Sequence, residues 1–414
     1  MTMDHGSADR AMDQATERVP ERTGARGAAL TLTGRARGAA DRTPSLLRHL
    51  IAAVVLAALL LALTSAVNSF RDYQIAEIAS DVIAVAGLSY LVGLSGQISL
   101  GNGAFVAVGA YVTALLMIHL HWPLVVVFIA AALATAVLGA VLGVAAARLR
   151  GPYLAGATLL LAVALPSLAD RFAGLLGGDQ GLNVNITAPA GLGGNFPLTR
   201  WQAWISCATA LVTLVLLANL ARSRVGRSWR AIRDDEVAAA LAGLNVGRLR
   251  VLAFVVSAGC GGVAGSLLAI TTGLVAPTAF TLTLSIGLLT AALIGGLGSL
   301  AGAVWGSLVL VLLPVYATDV ATSHGLSSSA GANVPLVAYG VALIAVMLAF
   351  PNGIQGGLRR IAGLVTGRRR AAAAPALSPG ARPGRPASQL PDQPAHHQEI
   401  ATGPSPEQQK EGPA

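Results

Sequence analysis

Charge is what this sequence has least of. Only 11% of its 414 residues are Asp, Glu, Lys or Arg, and 54% are hydrophobic. A soluble domain carries about 25% charged residues, so a soluble globular body is excluded and a polytopic membrane protein is expected. Lysine is nearly absent, since Lys410, close to the C-terminus, is the only one. A phosphate-binding P-loop ends in Gly-Lys-Ser/Thr because its lysine must reach the phosphates. No such ending exists here, so ATP hydrolysis by that route is excluded for this chain. Cysteine is scarce too. Cys207 and Cys260 both fall in apolar runs, which makes them buried thiols more readily than a disulfide, and no Cys/His spacing points to a metal. The formal net charge is +9, yet no RNA-binding pattern accompanies the arginines, so nucleic acid is not expected as a partner. An excess of arginine on the inner side of a membrane explains the charge more simply.

What is present is a series of apolar runs, most of them close to the ~20 residues a bilayer-spanning helix needs. They predict an all-α, polytopic integral membrane helical bundle of about ten transmembrane spans with both termini cytoplasmic. Residues 1–44 read as a disordered cytoplasmic tail, too long and basic before the first apolar run for a cleaved signal peptide. Residues 45–221 hold spans one to six: Ser45–Val67, Ile75–Gly93, Ala104–Leu120, Pro123–Ala147, Gly151–Leu168 and Trp201–Leu220. Residues 222–250 form a cytoplasmic loop, and 251–358 hold spans seven to ten: Val251–Thr272, Leu282–Ile294, Leu300–Tyr316 and Val334–Phe350. Residues 359–414 are a basic and then Pro/Ala/Gln-rich cytoplasmic tail, expected to be disordered. With an inside N-terminus this order puts Arg148, the central loop and the arginines after Arg359 all on one side, which is the pattern topology requires.

The segment Arg222–Arg250 is the only sustained charged stretch inside the apolar body. It carries seven arginines against Asp234, Asp235 and Glu236. Gly226 to Arg233 can form two helical turns. Asp234 or Asp235 can then cap a second helix through Leu241, and Gly243 is placed to end it. By itself this is either a solvated basic loop that fixes topology or a platform on which a soluble protein docks.

Two other runs stand out. Gly96, Gln97, Ser99, Gly101 and Asn102 bring amides, hydroxyls and glycines close to membrane depth, and Gly295, Gly296, Gly298 and Ser299 do so again. Each is either a broken helix lining a path, where freed backbone meets water or substrate, or a tight turn with close glycine packing. The Ser99-Leu100-Gly101 and Ser299-Leu300-Ala301-Gly302 runs hint at an internal repeat. Glu77 and Asp81, one helical turn apart near the outer end of span two, are interfacial, cavity-facing or part of a transport route.

Three segments together resemble the inner-membrane permeases of branched-chain amino-acid ABC transporters, M-type subunit. The first is Gly93-Leu94-Ser95-Gly96-Gln97-Ile98-Ser99-Leu100-Gly101-Asn102-Gly103-Ala104-Phe105. The second runs from Ser223-Arg224-Val225-Gly226-Arg227 through Arg230-Ala231-Ile232-Arg233-Asp234-Asp235-Glu236 to Gly243. The third is Leu293-Ile294-Gly295-Gly296-Leu297-Gly298-Ser299-Leu300-Ala301-Gly302. The resemblance covers about residues 83–359. It departs at Asn102, where the family often has His, and at Ala162-Val163, where many members carry Gly-Glu.

The resemblance implies a prokaryotic inner-membrane complex. This subunit would pair with a second permease subunit, two ATP-binding cassette subunits and an external solute-binding protein, with ATP and Mg held by the partner ATPase and no cofactor on this chain. It assigns ATPase coupling to Arg224, Gly226, Arg227, Arg230, Ala231, Ile232, Arg233, Asp234, Asp235, Glu236 and Gly243. Branched-chain or related hydrophobic amino acids are the implied substrates. The same superfamily also moves urea, short amides and sugars. An ion-coupled secondary transporter is the alternative from another class, but it calls for a buried ionisable pair in mid-span, and spans three to ten have almost none. A non-transporting scaffold would leave the Gly/Gln/Ser run unexplained, and an enzyme would need a nucleophile–base or metal constellation that the sequence lacks.

Overall fold

The computed structural model describes residues 68–148, 152–188, 196–323, 337, 340–346, 348–349 and 353–360. Span one and both tails lie outside the described residues, and span ten is described only in part, as helix at 340–346.

The described chain is helical almost throughout, because a backbone in lipid must satisfy its own hydrogen bonds. Helix α1 (Ser69–Ser95) covers span two and starts earlier than hydropathy placed it. Its first turn can carry Asp72 because that carboxylate faces inward towards Arg200 and not towards lipid. Next come α2 (Asn102–Leu115), which continues as a π turn through Leu120, then α3 (Leu124–Arg148), α4 (Pro152–Arg171) and α5 (Leu198–Arg222). Two shorter helices follow, α6 (Arg224–Asp234) and α7 (Glu236–Leu241). The chain then returns through α8 (Val246–Thr272), α9 (Leu282–Gly295) and α10 (Leu300–Ser323). Seven of the described helices are long and apolar enough to cross a membrane: α1, α2 with its π turn, α3, α4, α5, α8 and α10.

Helix α8 is the hub, and small residues let its neighbours reach it. On α3 the buried positions Val127, Ala131, Thr135, Gly139 and Gly143 recur every fourth residue. A Cβ on Gly139 would lie 2.5 Å from that of Ala258, and one on Gly143 would lie 2.9 Å from the Val251 Cα. The two helices therefore run antiparallel with backbones nearly touching, as small residues at every fourth position permit. The other face of α3, with Val125, Ile129, Leu133, Val137 and Val141, is exposed and apolar, as a lipid-facing surface must be. Across α8 from α3, Thr113 of α2 donates to Ser266 of α8 at 2.8 Å.

The bundle has two distinct ends. At one, β1 (Leu182–Asn183) pairs antiparallel with β2 (Leu274–Val275), and Arg200 is ion-paired with the buried Asp72 at 3.6 Å. At the other, the 93–97 turn, the 222–250 segment, the 295–299 turn and Gly353 converge. The central loop, which the hydropathy reading put on the arginine side, thus lies at this end.

Helix α9 has 14 residues and is shorter than a full span. It starts deep because β2 and a 3₁₀ turn at Pro277–Phe280 carry the chain inward first.

Candidate coupling surface and helix breaks

The arginine-rich segment folds as the sequence pattern anticipates, into two capped helices. Ser223 opens α6, its hydroxyl accepting from the Gly226 amide at 3.5 Å. Gly226 is required at this elbow, since a Cβ there would sit 2.7 Å from the Ala221 Cα. Of the two candidate acids, Asp235 is the cap of α7. Its carboxylate accepts from the Val237 and Ala238 amides at 2.9 and 3.0 Å. Gly243 ends α7 in the left-handed region at φ 85°. The Gly243 amide donates to the Ala240 carbonyl and the Leu244 amide to Ala239, at 3.0 and 3.1 Å, which is the Schellman pattern. Asn245 then caps α8 by accepting from the Arg248 amide at 3.0 Å.

One face of α6 is bound to the bundle. Gly226, Trp229 and Ile232 are buried. Trp229 is 1% exposed, and its indole Nε1 donates to the Leu249 carbonyl at 2.9 Å. The Arg233 guanidinium donates to the Gly93 carbonyl at the end of α1. Arg250 is ion-paired with Glu236 at 2.7 Å, tying the start of α7 to the start of α8. The other face is free. Arg224, Arg227, Arg230, Ala231 and Asp234 are exposed, and they run into Val237 and Leu241 of α7, 68% and 85% exposed. Apolar side chains this bare, one turn apart beside three arginines, make this face a candidate docking surface.

The run after α1 is a helix break that is also closely packed. Gly96 takes φ 73° and stops α1. The Gln97 Nε2 donates to the Ser95 hydroxyl at 2.9 Å and to the Arg250 carbonyl at 3.4 Å. Ser99 is buried and accepts from the Gly101 amide at 3.4 Å. The Leu100 amide finds the Thr158 hydroxyl at 3.0 Å. Asn102 is fully buried. Its Nδ2 donates to the Ala84 carbonyl at 3.4 Å, and its Oδ1 accepts from the Ser257 hydroxyl at 3.3 Å. Ala84 and Ser257 lie near the middles of α1 and α8, so Asn102 stands at mid-depth. The chain from Gly96 to Gly101 is therefore re-entrant, and its Leu100 and Gly101 amides are met by buried hydroxyls, a device that irregular backbone at depth calls for. The Gly103 amide meets the Ser285 hydroxyl of α9 at 3.0 Å, so the starts of α2 and α9 face each other inside the bundle.

The second glycine run is a tight turn. Gly296 and Gly298 have positive φ. A Cβ on Gly295 would lie 2.7 Å from the Gly302 carbonyl carbon, which places α9 and α10 backbone to backbone. Ser299 accepts from the Gly302 amide at 3.3 Å. None of the path candidates named from sequence lines the main cavity described, which has a volume of about 630 Å³. That cavity lies between α1, α9 and α10, with Glu77, Asp81, Thr283, Thr290 and Pro314 among its walls. Sequence reasoning noted the two acids but not the space they face. It also missed Trp229, whose signal was its place in the i, i+3 series with Gly226 and Ile232, and Asp72, for which no local signal exists. Cys207 and Cys260 are both free thiols.

Comparison with known proteins agrees with this geometry. The family described as "Branched-chain amino acid transport system / permease component" matches residues 73–350. The chain is 32% identical over 254 residues to the high-affinity branched-chain amino acid transport system permease protein LivM of Salmonella typhimurium, covering 56% of this chain and 60% of that protein. LivM of Escherichia coli gives the same figures. LivH of Salmonella typhimurium is 32% identical over 194 residues, 47% of this chain and 56% of that one. The chain thus spans about 60% of the length of the first of these curated relatives. No solved structure matches it. A multi-pass bundle whose family match takes in both helix breaks and the whole arginine-rich segment is a member of the branched-chain amino acid transport system permease family.

Proposed function

We propose that this chain is a transmembrane permease subunit of an ATP-driven importer for branched-chain or related hydrophobic amino acids. It sits in a prokaryotic inner membrane with about ten spans and both termini cytoplasmic, as the arginine distribution favours. The observation that carries the reading is the α6–α7 pair, a capped and anchored platform whose free face is basic with an apolar tip. That surface suits a groove on a soluble ATPase. ATP and Mg belong to that partner, since this chain lacks a P-loop lysine. A second permease subunit, in keeping with relatives named as two different permease proteins, and an external solute-binding protein complete the assembly. Closure of the ATPases would reach the spans as a rigid-body shift. No bond is made or broken on this chain.

Selection of the solute rests with the binding protein, so this subunit needs only a weak, passing site. The re-entrant run at Gly96–Asn102, with the Gly295–Ser299 turn, is the candidate path, and the cavity beside Glu77 and Asp81 is large enough to hold an amino acid. The test is to replace Arg230 and, separately, Asp235, express the chain with its ATPase, and measure ATPase co-purification and leucine uptake independently. Loss of both is expected. Wild-type docking and uptake in both variants would remove the role assigned to this face. Uptake that continues without ATP but collapses with the ion gradient would favour a secondary transporter instead.

A further inference from the structure

The exposed face of α6–α7 explains where a motor would hold the protein, but not how its stroke would reach the helix breaks. The covalent routes are two joints, the Ser223 elbow into α5 and the 242–245 turn into α8, and both are places where the chain can bend. A third route is built from backbone. Arg233 belongs to an otherwise exposed stretch, yet its guanidinium reaches back to the Gly93 carbonyl. That carbonyl lies in the last turn of α1, where acceptors have no partner within the helix and a cation is favoured. The side-chain stem passes over Gly96, whose Cβ, if present, would lie 3.4 Å from the Arg233 Cγ.

Beyond Gly93 the contact continues through close-packed backbone and one hydroxyl. A Cβ on Gly93 would fall 2.7 Å from the Gly298 Cα. The Gly298 amide donates to the Ser89 hydroxyl at 2.8 Å. A Cβ on Gly353 would fall 2.6 Å from the Gly296 nitrogen. Four segments therefore meet at one junction: α6 through Arg233, the end of α1, the turn after α9, and the helical residues 353–360. Close-packed backbone has little compliance, so a displacement at Gly93 moves the Gly298 turn with it. The last turn of α1 leads directly into the re-entrant run that carries Gln97 and Asn102.

We propose that Arg233 is a positioning residue that clamps α6 to the Gly93–Gly298 junction. A push on α6–α7 then enters the bundle at the ends of α1 and α9, where both helix breaks begin, and not only through α5 and α8. This rests on the reading of α6–α7 as the motor's docking face. Arg233→Ala should leave that face folded, because Trp229, the Asp235 cap and the Arg250–Glu236 pair are untouched, and free only its position relative to the end of α1.

The test has two arms. In the first, the chain alone, with Cys207→Ala and Cys260→Ala, carries spin labels at Ile98→Cys and Leu241→Cys, both exposed sites, and is placed in lipid nanodiscs for pulsed dipolar spectroscopy. A single narrow distance distribution is expected in the parent, a broad one in Arg233→Ala, and recovery of most of the narrow peak in Arg233→Lys. Equal distributions in parent and Arg233→Ala overturn the clamp. In the second arm the chain is co-expressed with its ATPase. Arg233→Ala should keep ATPase co-purification and ATP hydrolysis at parental levels while leucine uptake falls about tenfold, a fold-change typical of a coupling between sites. Loss of co-purification with an unchanged distance distribution would make Arg233 part of the docking face and overturn the proposal. A parent that neither binds the ATPase nor carries leucine would refute the docking reading, while the first arm still decides the clamp.

Discussion

Removing Trp229 tests whether α6 is held as a rigid platform. The indole is 1% exposed and carries a 2.9 Å hydrogen bond to the Leu249 carbonyl. Trp229→Phe keeps an aromatic ring, smaller than the indole, but deletes the N–H, and a buried hydrogen bond of this kind is worth about 1 kcal/mol. Trp229→Ala empties the site as well, which costs about 3–5 kcal/mol where the surroundings do not collapse. Since 1.4 kcal/mol is a factor of ten in an equilibrium, the detached state of α6 should rise about fivefold in the first variant and by roughly 10² to 4 × 10³ in the second. Hydrogen–deuterium exchange of the protein in nanodiscs, read on peptides covering 224–241, measures this directly. Protection should fall in the order parent, Phe, Ala, while peptides from the middle of α8 stay unchanged. If the Ala variant exchanges over 224–234 within about twofold of the parent, α6 is not anchored by Trp229, and the energetics assigned to this contact are wrong.

Other expectations follow from the same contacts. Asp235→Ala should destabilise α7 by about 1 kcal/mol and weaken ATPase co-purification, while Asp235→Asn, which also caps, should restore both; an equal loss in both would assign the effect to charge and not to the cap. Gly139→Leu must drive α3 off α8, so its melting temperature in detergent should drop sharply, whereas Val137→Leu on the exposed face should change stability by no more than about 0.5 kcal/mol. Asp72 is the buried partner and Arg200 the half-exposed one, so Arg200→Ala should destabilise more than Asp72→Ala, and the double variant should recover part of the loss. Equal penalties for the two singles would contradict that asymmetry.

Much of the local structure was legible because it depends on local chemistry. Spans two to seven fall within a few residues of the helices that form, since a bilayer crossing needs an uninterrupted apolar run. The Gly243 stop was readable from a glycine after a short apolar helix. The cap of that helix was left open between Asp234 and Asp235, because both precede it and only the backbone turn at Asp235 decides. What was not legible is tertiary. Nothing in Asn102 announces that it sits at mid-depth between Ala84 and Ser257. The Gly96–Asn102 run reads equally as a break or as a packed turn, and it is both, because the Thr158 hydroxyl of α4 and the run's own Ser99 hydroxyl accept from amides of the broken backbone. The reach of Arg233 to Gly93 and the pairing of β1 with β2 join residues far apart in sequence, which no periodicity encodes.

In the function proposed above, the α6–α7 hairpin is a cytoplasmic handle. Its most direct test is the reactivity of Leu241→Cys, in a chain with Cys207→Ala and Cys260→Ala, towards a membrane-impermeant maleimide. The residue is 85% exposed, so accessibility depends only on the side of the membrane and on what covers it. No labelling is expected in intact cells, with rapid labelling in inverted vesicles stripped of the ATPase and protection when the ATPase is restored. Labelling from outside intact cells would contradict the topology and the handle together.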